Sequence, residues 1–266
     1  MLPSLVLSGL LAITPDARQE LFARLKQSVV VLEVSTSSGQ RTGNGTGFVL
    51  REDGLVVTNH HVVDGHRSMR AVFADGRKAE VTGVLLLDKA HDLALVRIDA
   101  RGLVPLKLGS STGLKEGSQL FMAGNPMGLD FTFNEGVLTA LRPKGLPAEL
   151  GLTLDDADKQ ALLQLASNAE PGSSGSPVVD ADGAVVAVVR SKLASANFAV
   201  PVETLVAQLT DEVLASEARP MQQVPWWNLA ISAVVLTVLA LFLMGRLRGG
   251  GGGRPRAQRR FTGYEE

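Results

Sequence analysis

The chain has 266 residues, 45% of them hydrophobic, which is enough for one large domain or two around a real core. A formal net charge of -1 argues against a nucleic-acid partner, and the absence of cysteine excludes disulfides and thiolate metal sites. Four histidines occur, His60, His61, His66 and His91, so any chemistry that needs an imidazole base has a short list of candidates.

The first residues, "MLPSLVLSGLLAIT", are apolar enough for the core of a signal peptide but lack its basic start and a good small-x-small cleavage site. Residues 1–16 are compatible with a signal peptide, an uncleaved signal anchor or a short docking segment. "ARQELFARLKQS" follows with Leu21, Phe22 and Leu25 at helical spacing, which predicts one short helix. From there to about residue 201 the pattern shortens to brief Val/Leu-rich runs such as "VVVLEV", "GLVVTN", "DLALVRI", "QLFMAG" and "AVVAVV". Turn clusters such as "REDG", "ADG", "NPMG" and "DADG" separate them. Many short strands without intervening helices predict an all-β barrel or sandwich over residues 17–210. One stretch departs from this pattern, residues 146–167, which is expected to be a loop with a helical turn. A further helix is expected over "VETLVAQLTDEVLA", with residues 211–225 as a linker.

Residues 226–245, "WWNLAISAVVLTVLALFLMG", carry no charge and match the thickness of a bilayer core at about 1.5 Å rise per residue. They predict a C-terminal transmembrane helix. Two tryptophans stand at one end and six arginines follow the other, so the positive-inside rule places the basic tail, residues 246–266, in the cytoplasm. The main body of the chain is then expected outside the cytoplasm, in a periplasmic or extracellular space. The five-glycine run of the tail cannot hold a packed structure.

Three segments carry residues suited to acyl transfer. "VVTNHHVVDG" offers two histidines at the end of an apolar run, "HDLALVRI" opens a strand with Asp92, and "EPGSSGSPVV" holds Ser173, Ser174 and Ser176. A serine nucleophile needs a base to take its proton, a carboxylate to orient that base, and donors for the developing oxyanion. Turn chemistry alone accounts for serines in a Gly/Pro-rich stretch, and the G-x-S-x-G elbow of another hydrolase fold is absent around Ser174.

Four segments in order, "GTGFVLREDGLVVTNHHVV", "HDLALVRI", "MAGNPMGLDFTFNEGVLTAL" and "EPGSSGSPVVD", resemble motifs of the trypsin-fold serine proteases of the HtrA (Deg) type, from about Val29 to Pro201. The resemblance implies two antiparallel six-stranded β-barrels, the first over about 28–108 and the second over about 116–205. It also implies roles: Ser174 as nucleophile, His61 as general base and Asp92 as its orienting carboxylate, with the backbone N–H groups of Gly172 and Ser174 as oxyanion hole. Asn168, six residues before Ser174, corresponds to the base of the primary specificity pocket, and an uncharged residue there implies cleavage after small or medium aliphatic residues. Protein or peptide substrates, a homotrimer and no cofactor or metal are implied as well. His60 is expected to be a packing or surface side chain, His66 a loop residue and His91 solvated. A His60/His61 metal site is disfavoured because neighbours on a strand point to opposite faces.

The chain departs from the family pattern at three positions near the nucleophile. Ser173 stands where Asn is common, Ser176 replaces a second glycine, and Glu170 replaces Asn. No module of PDZ size is expected between Pro201 and the anchor, so peptide-gated activation is not carried over. A catalytically silent scaffold of the same fold, binding exposed peptides, is the alternative reading.

Overall fold

A computed structural model describes residues 13–35, 40–66, 68–125, 131–147, 154–167, 172–193, 196–221 and 236–237. The chain divides into a unit over residues 1–222 and a second over 223–266. Of the second unit only Leu236 and Thr237, both helical, are described. The expected membrane segment at 226–245 therefore lies outside the described residues save for these two, and the tail at 246–266 lies wholly outside them. Among the described residues, no helix is long and apolar enough to cross a membrane.

The first described element of the first unit is α1 (Pro15–Ser28), where the sequence predicts a helix. Thr14 caps it by accepting from the Ala17 amide, Pro15 occupies the first turn, where its missing N–H costs nothing, and Asp16 faces the positive end of the helix dipole. Leu21 and Leu25 are buried, each contributing about 2 kcal/mol of apolar burial.

Among the described residues, twelve strands follow. β1 (Val29–Ser35), β2 (Arg41–Arg51), β3 (Leu55–Thr58), β4 (Ser68–Phe73), β5 (Lys78–Asp88) and β6 (Leu93–Ile98) close one antiparallel barrel in the order β1-β2-β3-β6-β5-β4. β7 (Gln119–Gly124), β8 (Thr132–Arg142), β9 (Leu162–Ala166), β10 (Pro177–Val179), β11 (Val185–Leu193) and β12 (Ala196–Pro201) close a second in the order β10-β11-β12-β9-β8-β7. Closure leaves neither sheet with a free edge.

Continuous apolar runs occur in this antiparallel structure because several strands are buried on both faces. Along β3, Val56 points into the first barrel while Leu55 and Val57 enter a layer shared with the second barrel. β6 alternates likewise, with Ala94, Val96 and Ile98 inside the barrel and Leu93 and Leu95 in the shared layer. In β7, Leu120 and Met122 fill the second barrel and Phe121 and Ala123 face the shared layer. The two-residue period of a strand thus feeds two cores at once, and the shared layer is what welds the barrels together.

Two expectations are corrected here. The stretch 146–167 does contain a helical turn, Ala157–Lys159, but its last residues form β9, paired with β8 and β12. "LLQLA" has no β-branched residue and favours a helix locally; the pairing that closes the barrel overrides that preference. The helix expected over residues 202–215 is two helices, α3 (Val202–Gln208) and α4 (Asp211–Ala215), broken where the Thr210 hydroxyl accepts from the Val213 amide and starts a new turn. Beyond α4 the backbone of Arg219 pairs with Val84 of β5, and Met221 is buried in the first barrel's core.

Candidate active site

β3 and β6 are adjacent and antiparallel, with Thr58 opposite Ala94, so the residues after β3 and those before β6 share one rim of the first barrel. After Asn59 the chain makes one helical turn, α2 (His60–Val63), that carries His61. Asp92 immediately precedes β6 with φ +56, a left-handed conformation that Asp tolerates better than most residues. The buried Asn59 holds it there, its side-chain Nδ2 donating to the Asp92 carbonyl at 2.8 Å.

This arrangement delivers the Asp92 carboxylate to His61. The ring Nδ1 lies 2.8 Å from Oδ2 and 3.0 Å from Oδ1, and the His61 backbone N–H donates to Oδ1 at 3.0 Å. With Nδ1–H donated to the carboxylate, Nε2 is left as the acceptor, the tautomer a general base requires. The acid is buried, its side chain 8% exposed, while the ring is 49% exposed and open to solvent.

The histidines otherwise differ from expectation in setting. His60 and His61 sit on a helical turn rather than a strand, so the strand argument against their sharing a metal does not apply. Among the described residues, no group of three or more His, Cys, Asp or Glu side chains is placed to hold a metal ion. His91 is not simply solvated: it is half-buried, with Nδ1 2.7 Å from Asp88 Oδ2. His66 lies half-buried just after α2.

The serine segment, Gly172–Ser176, enters from the second barrel just before β10 and is tied to the first barrel through Thr46 of β2. The Thr46 amide donates to the Ser174 carbonyl at 2.8 Å, and its hydroxyl donates to the Gly172 carbonyl at 2.7 Å and accepts from the Asn125 amide at 3.2 Å. Thr58 completes the tie, its hydroxyl donating to the Thr46 carbonyl at 2.7 Å. Gly172 and Gly175 have φ of +98 and +86, a region that favours glycine. The Ser174 hydroxyl donates to the Arg190 carbonyl at 3.1 Å rather than to the His61 ring. Ser173 and Ser176 are buried. Asn168 and Glu170 lie outside the described residues.

Two residues of this site were not singled out from the sequence. Thr46 stands inside the quoted "GTGFVL" without a distinguishing feature, because its contribution depends on the neighbour it meets across the seam. Arg190 did carry a signal, a lone cation closing the apolar run "VVAVV". It is 5% exposed, with Nε 3.4 Å from Asp92 Oδ2 and its two terminal nitrogens on Asp155 and Asp158.

Comparison with known proteins agrees with the two-barrel fold. Residues 45–188 match the family model described as trypsin-like peptidase domain. The chain is 34% identical over 166 residues to the putative serine protease HhoB of Synechocystis, an alignment covering 61% of this chain and 38% of that protein. It is 30% identical over 228 residues to the serine protease PepD of Mycobacterium tuberculosis, covering 76% of this chain and 47% of the relative. The chain thus spans less than half the length of these two relatives. Among solved structures, the HtrA-type protease AlgW with tripeptide superposes with a TM-score of 0.63 at 25% identity, covering 74% of this chain and 63% of that one.

Proposed function

This chain belongs to the trypsin-like peptidase family, and we propose that it is a serine endopeptidase of the HtrA type that cleaves peptide bonds in unfolded or membrane-adjacent proteins through Ser174, His61 and Asp92. The observation that carries the reading is the paired His61 and Asp92 on the rim of one barrel, with Ser174 held against that barrel by Thr46. A binding module has no use for a buried carboxylate that sets the tautomer of an exposed imidazole.

In the proposed reaction, the Ser174 hydroxyl leaves the Arg190 carbonyl and turns to His61 Nε2. Its proton passes to that nitrogen as Oγ bonds to the substrate carbonyl carbon. The imidazolium, stabilised by Asp92, then gives the proton to the leaving amine as the C–N bond breaks, leaving an acyl ester on Ser174. Water, deprotonated by the same nitrogen, hydrolyses the ester and restores the hydroxyl. Negative charge on the tetrahedral oxygen is met by the amides of Gly172 and Ser174, which act as the oxyanion hole. Asn168 at the base of the specificity pocket gives a preference for small or medium aliphatic residues.

The proposal extends to topology. Residues 226–245 anchor the chain as a single-pass helix, 246–266 form a cytoplasmic tail, and the protease domain works outside the cytoplasm. The uncharged 20-residue length and the arginines that follow it support this. A homotrimer would have to form on surfaces other than Leu21 and Leu25 of α1, which are buried in the chain's own core.

The alternative is a silent peptide-binding scaffold, and one observation favours it: Ser174 is hydrogen-bonded to Arg190 rather than His61. Labelling the full chain with a serine-directed fluorophosphonate distinguishes the two. The endopeptidase labels, and Ser174→Ala abolishes the signal; a folded wild-type chain that never labels is the scaffold.

A further inference from the structure

We propose that Arg190 is a positioning residue that sets both the aim and the effective charge of the Asp92 carboxylate, and that Asp155 and Asp158 set Arg190 in turn. The inference rests on the endopeptidase reading above and concerns a side chain that reading does not use.

An arginine in a barrel strand would ordinarily point either into the apolar core or out to water. Arg190 does neither, because β11 is irregular at this point. Val189 opposes Ala199 of β12 and Ser191 opposes Phe198, so the register shifts at Arg190, the extra residue of a bulge. Such a bulge re-aims its side chain. Here it turns the guanidinium to the His61–Asp92 pair, with Nε 3.4 Å from Asp92 Oδ2, while the Arg190 carbonyl accepts from the Ser174 hydroxyl. One residue therefore touches the nucleophile through its backbone and the acid through its side chain.

The far edge of the guanidinium is held just as specifically. One terminal nitrogen bonds both Asp155 carboxylate oxygens, at 2.7 and 2.6 Å, and the other bonds Asp158 Oδ1. The two acids are pre-aimed by the turn between β8 and β9. The Asp155 amide donates to Asp158 Oδ2 at 3.0 Å, and the Asp158 amide donates to Asp155 Oδ1 at 2.9 Å. A cation so deeply buried is tolerable only with carboxylates on it, and its planar fork fixes direction as well as charge.

The electrostatic consequence falls on His61. Asp92 beside β6 is bonded to the ring, Arg190 of β11 lies against Asp92, and Asp155 and Asp158 lie against Arg190 in turn. His60 shares the turn of His61, and His91, next to Asp92, is turned to Asp88. A cation beside Asp92 offsets part of the negative field that holds a proton on the ring, and the two loop acids offset part of that cation. Removing Arg190 must therefore raise the ring's proton affinity, and neutralising the two loop acids must lower it. A merely structural role would move both variants the same way.

The test is the second-order rate of fluorophosphonate labelling of the full chain as a function of pH, for wild type, Arg190→Met and Asp155→Asn/Asp158→Asn. Expected is an acid-side midpoint that rises in R190M and falls in the double variant, with Arg190→Lys, which keeps charge but not the fork, between R190M and wild type. Midpoints that coincide with wild type, or move in the same direction in both variants, overturn the inference. Should R190M fail to fold, Asp155→Asn alone, which leaves Asp158 on the buried guanidinium, decides: an unmoved midpoint overturns the inference. A folded wild-type chain that does not label, or labelling that survives Ser174→Ala, instead overturns the endopeptidase reading.

Discussion

Gly175→Ala is the sharpest perturbation of the seam between the barrels. Gly175 has φ +86, where an L-residue costs roughly 1–2 kcal/mol. An added Cβ would also collide with the Thr46 carbonyl oxygen and stand 2.6 Å from the Thr58 hydroxyl. Thr46 cannot retreat without giving up the bonds that hold the serine segment: Thr58 to Thr46, and Thr46 to Ser174 and Gly172. At about 1 kcal/mol each, partial loss of these adds to the backbone strain for a total of about 2–4 kcal/mol. For a domain of this size that lowers the melting temperature by roughly 10 °C. Because the loss falls on the residues that place Ser174, labelling by a fluorophosphonate should drop even well below the melt. Gly113→Ala, where a Cβ meets nothing within 4 Å, serves as control and should change stability by less than about 0.5 kcal/mol. A Gly175→Ala protein melting within about 2 °C of wild type and labelling at the wild-type rate would refute the reasoning.

Two further tests follow from the same packing. A Cβ at Gly124 would collide with the Ser176 hydroxyl, which is buried without a hydrogen-bond partner. Gly124→Ala should therefore cost about 1–3 kcal/mol, and Ser176→Gly should relieve it. A denaturant-melt double-mutant cycle should give a coupling above about 1 kcal/mol, and additivity within about 0.5 would disprove the clash. Glu203 of α3 accepts from the Ser111 amide at 2.7 Å and from the hydroxyls of Ser111 and Ser110 at 2.6 and 2.8 Å. Burial acts to raise its pKa, but the hydrogen bonds outweigh it and hold the carboxyl below its ordinary value. Its contribution is thus full above the ordinary carboxylate pKa and lost as pH falls through the lowered one. Glu203→Gln should cost about 1 kcal/mol at neutral pH, allowing for partial exposure, with the gap to wild type closing in acid; a gap that widens in acid contradicts this.

Much of the second-barrel and first-barrel strand content was legible in the chain, because runs such as "LVVT" and "LALVRI" are apolar on both faces and bounded by turn residues. The pairing of His61 with Asp92 was implied by the family resemblance, and it forms because both flank strands whose ends the barrel brings side by side. β9 was not legible, since "LLQLA" carries a helical preference that only its pairing with β8 and β12 overturns. Nor was the break between α3 and α4, which hangs on one hydroxyl of Thr210.

What the sequence alone determined is local: which segments extend, where they turn, and which side chains are chemically able to act as base, acid and nucleophile. What the tertiary structure decided is who meets whom across distances of tens of residues. Thr46 became the clasp of the serine segment because β2 runs along the seam. Arg190 became a neighbour of Asp92 because one residue too many in β11 turned it there. Both are packing outcomes that depend on atoms far away in the chain, and no window of sequence around either residue contains them.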